Sequence, residues 1–362
     1  MRQILSIIGF LIFTLPAIGQ EESYILSKQG SITVRPLFRS WSFQDQDKRI
    51  TEVGTVFSVK YPASRILNFS LQTAQATTYG DFNKVSGWSD VQVGVAAQIE
   101  RTHMSVSVGV NIPTGKTELT AEEFETAALV SNPVFDYRVP AWGQGFTINP
   151  GVAWVYEASR NFVVGFAGAY QYKGSYKPQK DVGEYNPGDE IVFTGGADLR
   201  LNESSSIALD VVFTTYGTDQ LDGADVFAPG AAVSINGQYK KFFKNDELRL
   251  YARFRSKGKG DFPTRVEPNR TEFHAGYTIG ASRTFSLGLL ATARFFEETD
   301  AGLSGAKLFG FKLSPTFQLS PSVRMPFRLG YDVGSTMFIT PSSRLSEQIG
   351  GFEVSIGLMT DF

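Results

Sequence analysis

The chain has 362 residues, 34 Lys and Arg against 36 Asp and Glu, a formal net charge of −2, and no cysteine. Disulfide scaffolds and thiolate metal sites need Cys and are excluded, and so nearly balanced a charge gives no electrostatic footprint for nucleic acid. Aromatic residues make up 13% of the chain, which excludes a disordered polymer.

The first residues read as an export signal. Arg2 gives a positive start, Ile4 to Phe13 is an apolar run, and Ala17-Ile18-Gly19 is a small-x-small cleavage site. The apolar run is short for a bilayer helix, which wants about 20 residues. No Cys follows it, so a lipoprotein is excluded. The expected organisation is a signal peptide over 1–19 and one mature domain over 20–362. No later stretch is long and apolar enough for a spanning helix.

Beyond the signal the hydrophobic period is two. Val91, Val93 and Val95 alternate with Gln92 and Gly94. After a short turn Met104, Val106, Val108, Val110 and Ile112 alternate with Ser105, Ser107, Gly109 and Asn111. Two such runs around a short turn predict a β-hairpin. Sixteen segments of this kind occur, at 31–43, 51–61, 66–77, 88–100, 103–112, 145–158, 161–173, 189–201, 205–217, 229–240, 247–257, 271–282, 285–296, 307–319, 322–337 and 349–362. The count falls to fourteen if the first and second or the tenth and eleventh are misread. Most are long enough for a tilted transmembrane strand of about 9–11 residues. Short turns at 62–65, 101–102, 159–160, 202–204, 241–246, 283–284 and 320–321 alternate with long polar connections from 79–87 to 338–348. The predicted fold is all-β: a transmembrane antiparallel up-and-down barrel with both termini on the short-turn, periplasmic side. Its location is the cell outer membrane, where lipid and lipopolysaccharide surround it.

The alternation also assigns faces. Phe, Val, Leu, Ile and Tyr meet lipid, while Gly, Ser, Thr, Gln, Arg and Asp line the interior. Arg35, Arg39, Arg249, Arg253, Arg255, Arg294, Arg324 and Arg328 all have lumen parity. Glu353, on the last strand, is placed to pair with Arg39 or Arg328. These charges are read either as a basic wall favouring anionic solutes or as a self-paired polar lining. The longest connection, Pro113 to Gln144, is the third on the outer side. It holds a capping box, Thr120-Ala121-Glu122-Glu123, that opens a short helix. With Glu118 and Glu125, Glu122 and Glu123 are candidates for an acidic constriction if this loop folds inward, as in sixteen-stranded porins; simple exposure is the alternative. The chain ends in an alternating strand whose Ser355, Gly357 and Phe362 match a barrel-assembly signal, which implies the outer-membrane assembly machinery as a partner.

Ser89-Asp90-Val91-Gln92-Val93-Gly94, followed by Gly109-Val110-Asn111-Ile112-Pro113-Thr114-Gly115-Lys116, resembles the MetA-pathway phenol-degradation group. That group is related in style to the FadL/TodX channels, and the resemblance implies uptake of small hydrophobic or aromatic compounds. A FadL-style hatch is not expected, because only residues 20–30 precede the first strand. Pro113 to Lys116 is not a phosphate-binding loop, since the preceding glycine is missing.

An enzyme is not expected. His103 lies in a turn, and His274 beside Glu272 reads as a pore-lining pair. The acidic loops Asp181–Glu190 and Asp219–Asp225 lack EF-hand spacing, so no metal or other cofactor is called. The predicted function is a passive outer-membrane channel for small-molecule solutes, hydrophobic, aromatic or anionic. The alternative is a non-conducting barrel serving as a scaffold for a secretion or surface complex.

Overall fold

The computed structural model describes residues 29–99, 102–137, 139–261, 265, 267–299, 303–339 and 344–362; the signal segment 1–19 lies outside them. Sixteen wall strands form one closed antiparallel sheet. They are β1 (Ser31–Phe43), β2 (Lys48–Pro62), β3 (Leu67–Gly80), β4 (Val85–Trp88 and Val91–Ile99), β5 (Met104–Ile112), β6 (Thr147–Glu157), β7 (Phe162–Lys173) and β8 (Glu190–Asn202). Next come β9 (Ser205–Tyr216), β10 (Ala232–Phe243), β11 (Asp246–Lys257), β12 (Arg270–Ile279), β13 (Phe285–Phe296), β14 (Leu303–Ser320), β15 (Val323–Ile339) and β16 (Arg344–Ile356 and Leu358–Asp361). Each strand pairs with its sequence neighbours, and β1 pairs with both β2 and β16, which closes the barrel.

Closure follows from the environment. An open edge in hydrocarbon would leave backbone N–H and C=O groups unpaired, at several kcal/mol each. The outward face is apolar: Phe166, Phe193 and Leu319 are each 56% exposed, an exposure that lipid must cover. No helix among the described residues is long and apolar enough to cross a membrane; the strands make the crossing. Both ends of the described chain meet at the short-turn rim, where Gly30 N donates to Phe362 O at 2.9 Å and Phe362 N to Gly30 O at 3.0 Å.

Two features depart from plain alternation. β4 is interrupted at Ser89 and Asp90, where the alternation predicts an unbroken strand. The other is the connection between β5 and β6, residues 113–146, which carries helix α1 (Ala121–Val130). Thr120 caps α1, and its side chain and that of Glu123 each accept from the other's backbone N–H, forming the expected capping box. A small outer sheet joins Tyr185–Asn186, Asp219–Leu221 and Ala224–Phe227 above the wall.

Candidate functional site

The lumen has two unlike sides. Along β5–β9 the inward positions are mostly small. Ser107 faces Gly151, which faces Ala169; Gly165 faces Gly196, which faces Asp210. Along β11–β16 and β1 they are large and charged. Arg253 lies opposite Glu272, Glu272 opposite Arg294, and Glu353 opposite Arg39.

The 113–146 connection folds against the large side. At the outer ends of β1, β2, β13, β14 and β16, Trp41, Phe43, Ile50, Phe296, Leu308 and Ile349 point inward and are buried. They pack on Val130, Val134, Phe135 and Tyr137 of the loop. The Phe135 ring lies 5.5 Å from each of the Trp41 and Phe43 rings. Trp41 Nε1 donates to Phe135 O at 2.9 Å, and the Tyr137 hydroxyl donates to Ile50 O at 2.9 Å. Farther round, Leu119, Ala127, Val139 and Ala141 pack on Val56, Ala74, Ala76 and Val85 of β2–β4. Full burial of a large apolar side chain contributes about 1.5–3 kcal/mol. The inserted loop is therefore held by a core of its own inside the barrel.

Below that core lies a buried charge lattice. Arg39 meets Asp332 at 3.3 Å, Glu353 at 3.6 Å and Asp136 of the loop at 3.3 Å, and it also donates to the Asp136 carbonyl. Arg294 bonds Asp332 at 3.2 Å and donates to Val134 O at 3.3 Å. Glu353 also receives Lys312 at 3.2 Å and Arg328 at 3.8 Å. Arg39, Asp332, Arg294, Lys312 and Glu353 are all at most 6% exposed. Charges this buried persist only when paired. The lattice thus joins three elements: the β13–β16 wall, β1 and the inserted loop.

A clasp holds both ends of that loop. The Asp90 carboxylate, at the break in β4, accepts from Gly115 N at 2.9 Å, Gln144 N at 2.7 Å and Asn111 Nδ2 at 2.8 Å. Asn111 also donates to Gly145 O at 2.6 Å, and Thr114 Oγ1 accepts from Val91 N at 3.0 Å. Gly115 and Gly143 cross with their backbones in contact. A Cβ on Gly115 would lie 2.7 Å from Gly143 N, and one on Gly143 would lie 2.6 Å from Asp90 Oδ1. The residues that carry the family resemblance are therefore the loop's fastening.

The remaining expected residues fall as follows. Arg249 pairs with Glu247 at 2.7 Å, Arg253 donates to Ser234 Oγ at 3.3 Å, and Arg255 reaches Glu267 at 3.9 Å. Arg324 pairs with Asp361 at 3.0 Å, and Arg35 faces inward on β1. His274 lies 3.4 Å from Glu272. Glu118, Glu122 and Glu125 are exposed, and Glu123 bonds Lys116 at 2.6 Å. The loop residues that touch the basic wall are Val134 and Asp136 rather than these acids, because the apolar stretch after α1 is the part that gains by burial. Ser355 faces inward, Gly357 N donates to Pro326 O at 2.7 Å, and Phe362 stacks on Tyr61. In the acidic outer loops Asp219 accepts from the Tyr185 hydroxyl and Gly188 N, and Asp222 from Glu184 N. Burial, then the Asp219 hydrogen bond, pushes the Tyr185 phenol above its ordinary range. Among the described residues no group of His and acidic side chains converges as a metal site.

A family model described as "Putative MetA-pathway of phenol degradation" matches residues 61–260. No curated protein matches the chain. Among solved structures, Pseudomonas putida OprB at high pH aligns over 93% of this chain and 95% of its own, with 11% identity and a TM-score of 0.51. The COG4313 outer membrane channel from Pseudomonas putida F1 covers 92% and 96%, with 9% identity and a TM-score of 0.37. The CymD monoaromatic hydrocarbon channel covers 93% and 89%, with 9% identity and a TM-score of 0.45. At such identities the likeness is one of fold.

Proposed function

From the premise that this outer-membrane barrel belongs to the phenol-degradation family just described, we propose that it is a passive channel for small, weakly polar solutes, aromatic ones among them. The observation that carries this reading is the asymmetry of the lumen. The inserted loop packs its two apolar clusters against β1–β4, β13, β14 and β16, and among the described residues neither cluster includes a residue of the β5–β9 wall, whose inward positions are mostly Gly, Ala and Ser. Solute would descend along that wall, past a constriction whose width the loop sets.

In this reading Arg35, Arg39, Arg294, Arg324 and Arg328, with Glu353, brace the passage. Of the arginines expected from the sequence to face the lumen, Arg249, Arg253 and Arg255 on β11 lie nearest that wall. Each of these three has a polar or acidic neighbour, so the field they add is modest and supports weak anion preference. Glu118, Glu122, Glu123 and Glu125 belong to the outer mouth. Residues 1–19 serve export, and Ser355, Gly357 and Phe362 serve recognition by the assembly machinery.

The test is single-channel recording on the refolded mature chain, beside a variant in which residues 118–141 are replaced by a short Gly/Ser linker. The expected result is a small steady conductance that rises severalfold in the variant. A wild type and a variant that are both silent would leave the scaffold reading in place.

A further inference from the structure

The connection between β7 and β8, residues 174–189, rises from the small-residue wall and folds back on itself as a hairpin. Tyr176 N donates to Tyr185 O at 2.9 Å, and Tyr185 N to Tyr176 O at 2.8 Å. The tip of the hairpin grips the inserted loop. Leu119 N donates to Pro178 O at 3.2 Å, and Lys180 N donates to Leu119 O at 2.7 Å. Leu119 is buried and packs on β2–β4. The hairpin thus reaches from the small-residue wall to the loop, over the outer end of the space between them. At its base the Tyr176 ring covers Gly145, where a Cβ would lie 3.0 Å from the ring.

The outer leg of the hairpin is tied to a third connection. Tyr185 and Asn186 pair with Leu221 and Gln220. The Asp219 carboxylate accepts from the Tyr185 hydroxyl at 2.6 Å and from Gly188 N at 2.7 Å, and Asp222 accepts from Glu184 N at 2.9 Å. These junctions are unequal. The inserted loop meets the wall through two apolar cores and the charge lattice. The hairpin meets the loop through two backbone bonds and one ring, and among the described residues none of its side chains belongs to either core. Local opening begins where buried apolar contact is least.

We propose that residues 174–189 are a strap that gates the outer mouth, latched at Leu119 and aimed there by Asp219 and Asp222. Latched, it covers the mouth above the small-residue wall. Unlatched, it uncovers that mouth while the inserted loop keeps its seat. The outer sheet holds the hairpin in the position that meets Leu119, so a disturbance of that sheet reaches the passage through the strap. This rests on the channel reading and supplies its gate.

The experiment is amide exchange on the nanodisc-embedded barrel, comparing wild type with Asp219→Ala and Asp225→Ala. The hydrogen bonds of Asp219 go to the hairpin and not to the inserted loop, and Asp225 bonds Gln220 within its own connection. In Asp219→Ala the Lys180 and Leu119 amides should exchange about tenfold faster, while Gly115 and Gln144, held by Asp90, should not change. Asp225→Ala should leave all four as they are. Acceleration confined to residues 184–189 and 219–227, or equal acceleration in Asp225→Ala, would overturn the strap. Tyr185→Phe, which removes one hydroxyl, should give a smaller change of the same pattern and serves if Asp219→Ala fails to refold. Single-channel recording supplies the second readout: brief wider openings should be several times more frequent in Asp219→Ala. Current in both proteins with identical openings would overturn the gate and leave the channel standing. Silence in the wild type, in Asp219→Ala and in the linker variant together would defeat the channel reading and the gate with it.

Discussion

The two sides of the lumen are built on the same strands, with the same alternation and the same ladder. They differ only in what fills the inward positions. On β13–β16 and β1, Arg39, Arg294, Lys312, Asp332 and Glu353 are long, charged and buried against one another. On β5–β9, Ser107, Gly151, Ala167 and Gly196 carry almost no side chain. A barrel of fixed circumference thereby acquires an off-centre passage, braced on one side and bare on the other. The inserted loop exaggerates the difference, because it docks where apolar rings and carboxylate partners are available.

The sharpest way to break this asymmetry is at Arg39. Arg39→Met strips a cation from Asp332, Glu353 and Asp136 together, and removing one partner of a buried ion pair costs about 3–5 kcal/mol. The urea midpoint of the refolded barrel should fall accordingly. Arg249→Met, at a half-exposed pair, should shift it by less than about 1 kcal/mol. Equal losses would show that the braced side is no different from the rest.

Loosening the loop without touching the lattice is the next largest change. Asp90→Ala leaves Gly115 N and Gln144 N without their acceptor and takes one of two from Asn111 Nδ2, at about 1–3 kcal/mol for each group left buried and unpaired. Open-channel noise should rise, and amide exchange over 115–145 should accelerate relative to the wall strands.

Charge at the path is a smaller lever. Arg249→Gln combined with Arg253→Gln should move the salt-gradient reversal potential toward cation preference by only a few millivolts, the scale set by paired charges in high-dielectric water. A large swing would show that these arginines act unscreened.

The smallest effect concerns the cap of α1. Burial raises the Glu123 carboxyl, but hydrogen bonds from Lys116 and the Thr120 N–H outweigh it and hold the group below its ordinary range. A lowered folded value means the cap is complete above the ordinary carboxylate range and is lost as pH falls through the lowered value. The expected loss is about 1 kcal/mol of helix stability. It should be visible as faster amide exchange in residues 121–125 at acid pH, and as the same change at neutral pH in Glu123→Gln.

Most of the wall could be read from the sequence, because a transmembrane strand must alternate and its turns must be polar. β13 runs over 285–296, as the alternation predicts, and β5 and β11 differ from it by one residue. The inserted loop was harder to read. Trp41, Phe43 and Ile50 are apolar at lumen positions, a breach of the binary pattern that the assignment of every Phe and Ile to lipid passed over and that the docked loop explains. The partner lies in a loop some ninety residues away, and no local period marks it. Asp90 stood in a recognised motif, but its three acceptor contacts reach as far as Gln144, which only the folded loop brings near.

The lattice around Arg39 has one more consequence, for assembly. It straddles the seam where the first strand meets the last, with Arg39 on β1 directly opposite Glu353 on β16. Slippage of the seam by two residues would keep every side chain on its proper face and preserve nearly all backbone pairing, so the ladder itself discriminates poorly. It would, however, set Arg39 against Gly351 or Ser355 and strand the acids behind it. The buried ions therefore proofread closure: the cylinder zips shut stably only at the one stagger that matches them.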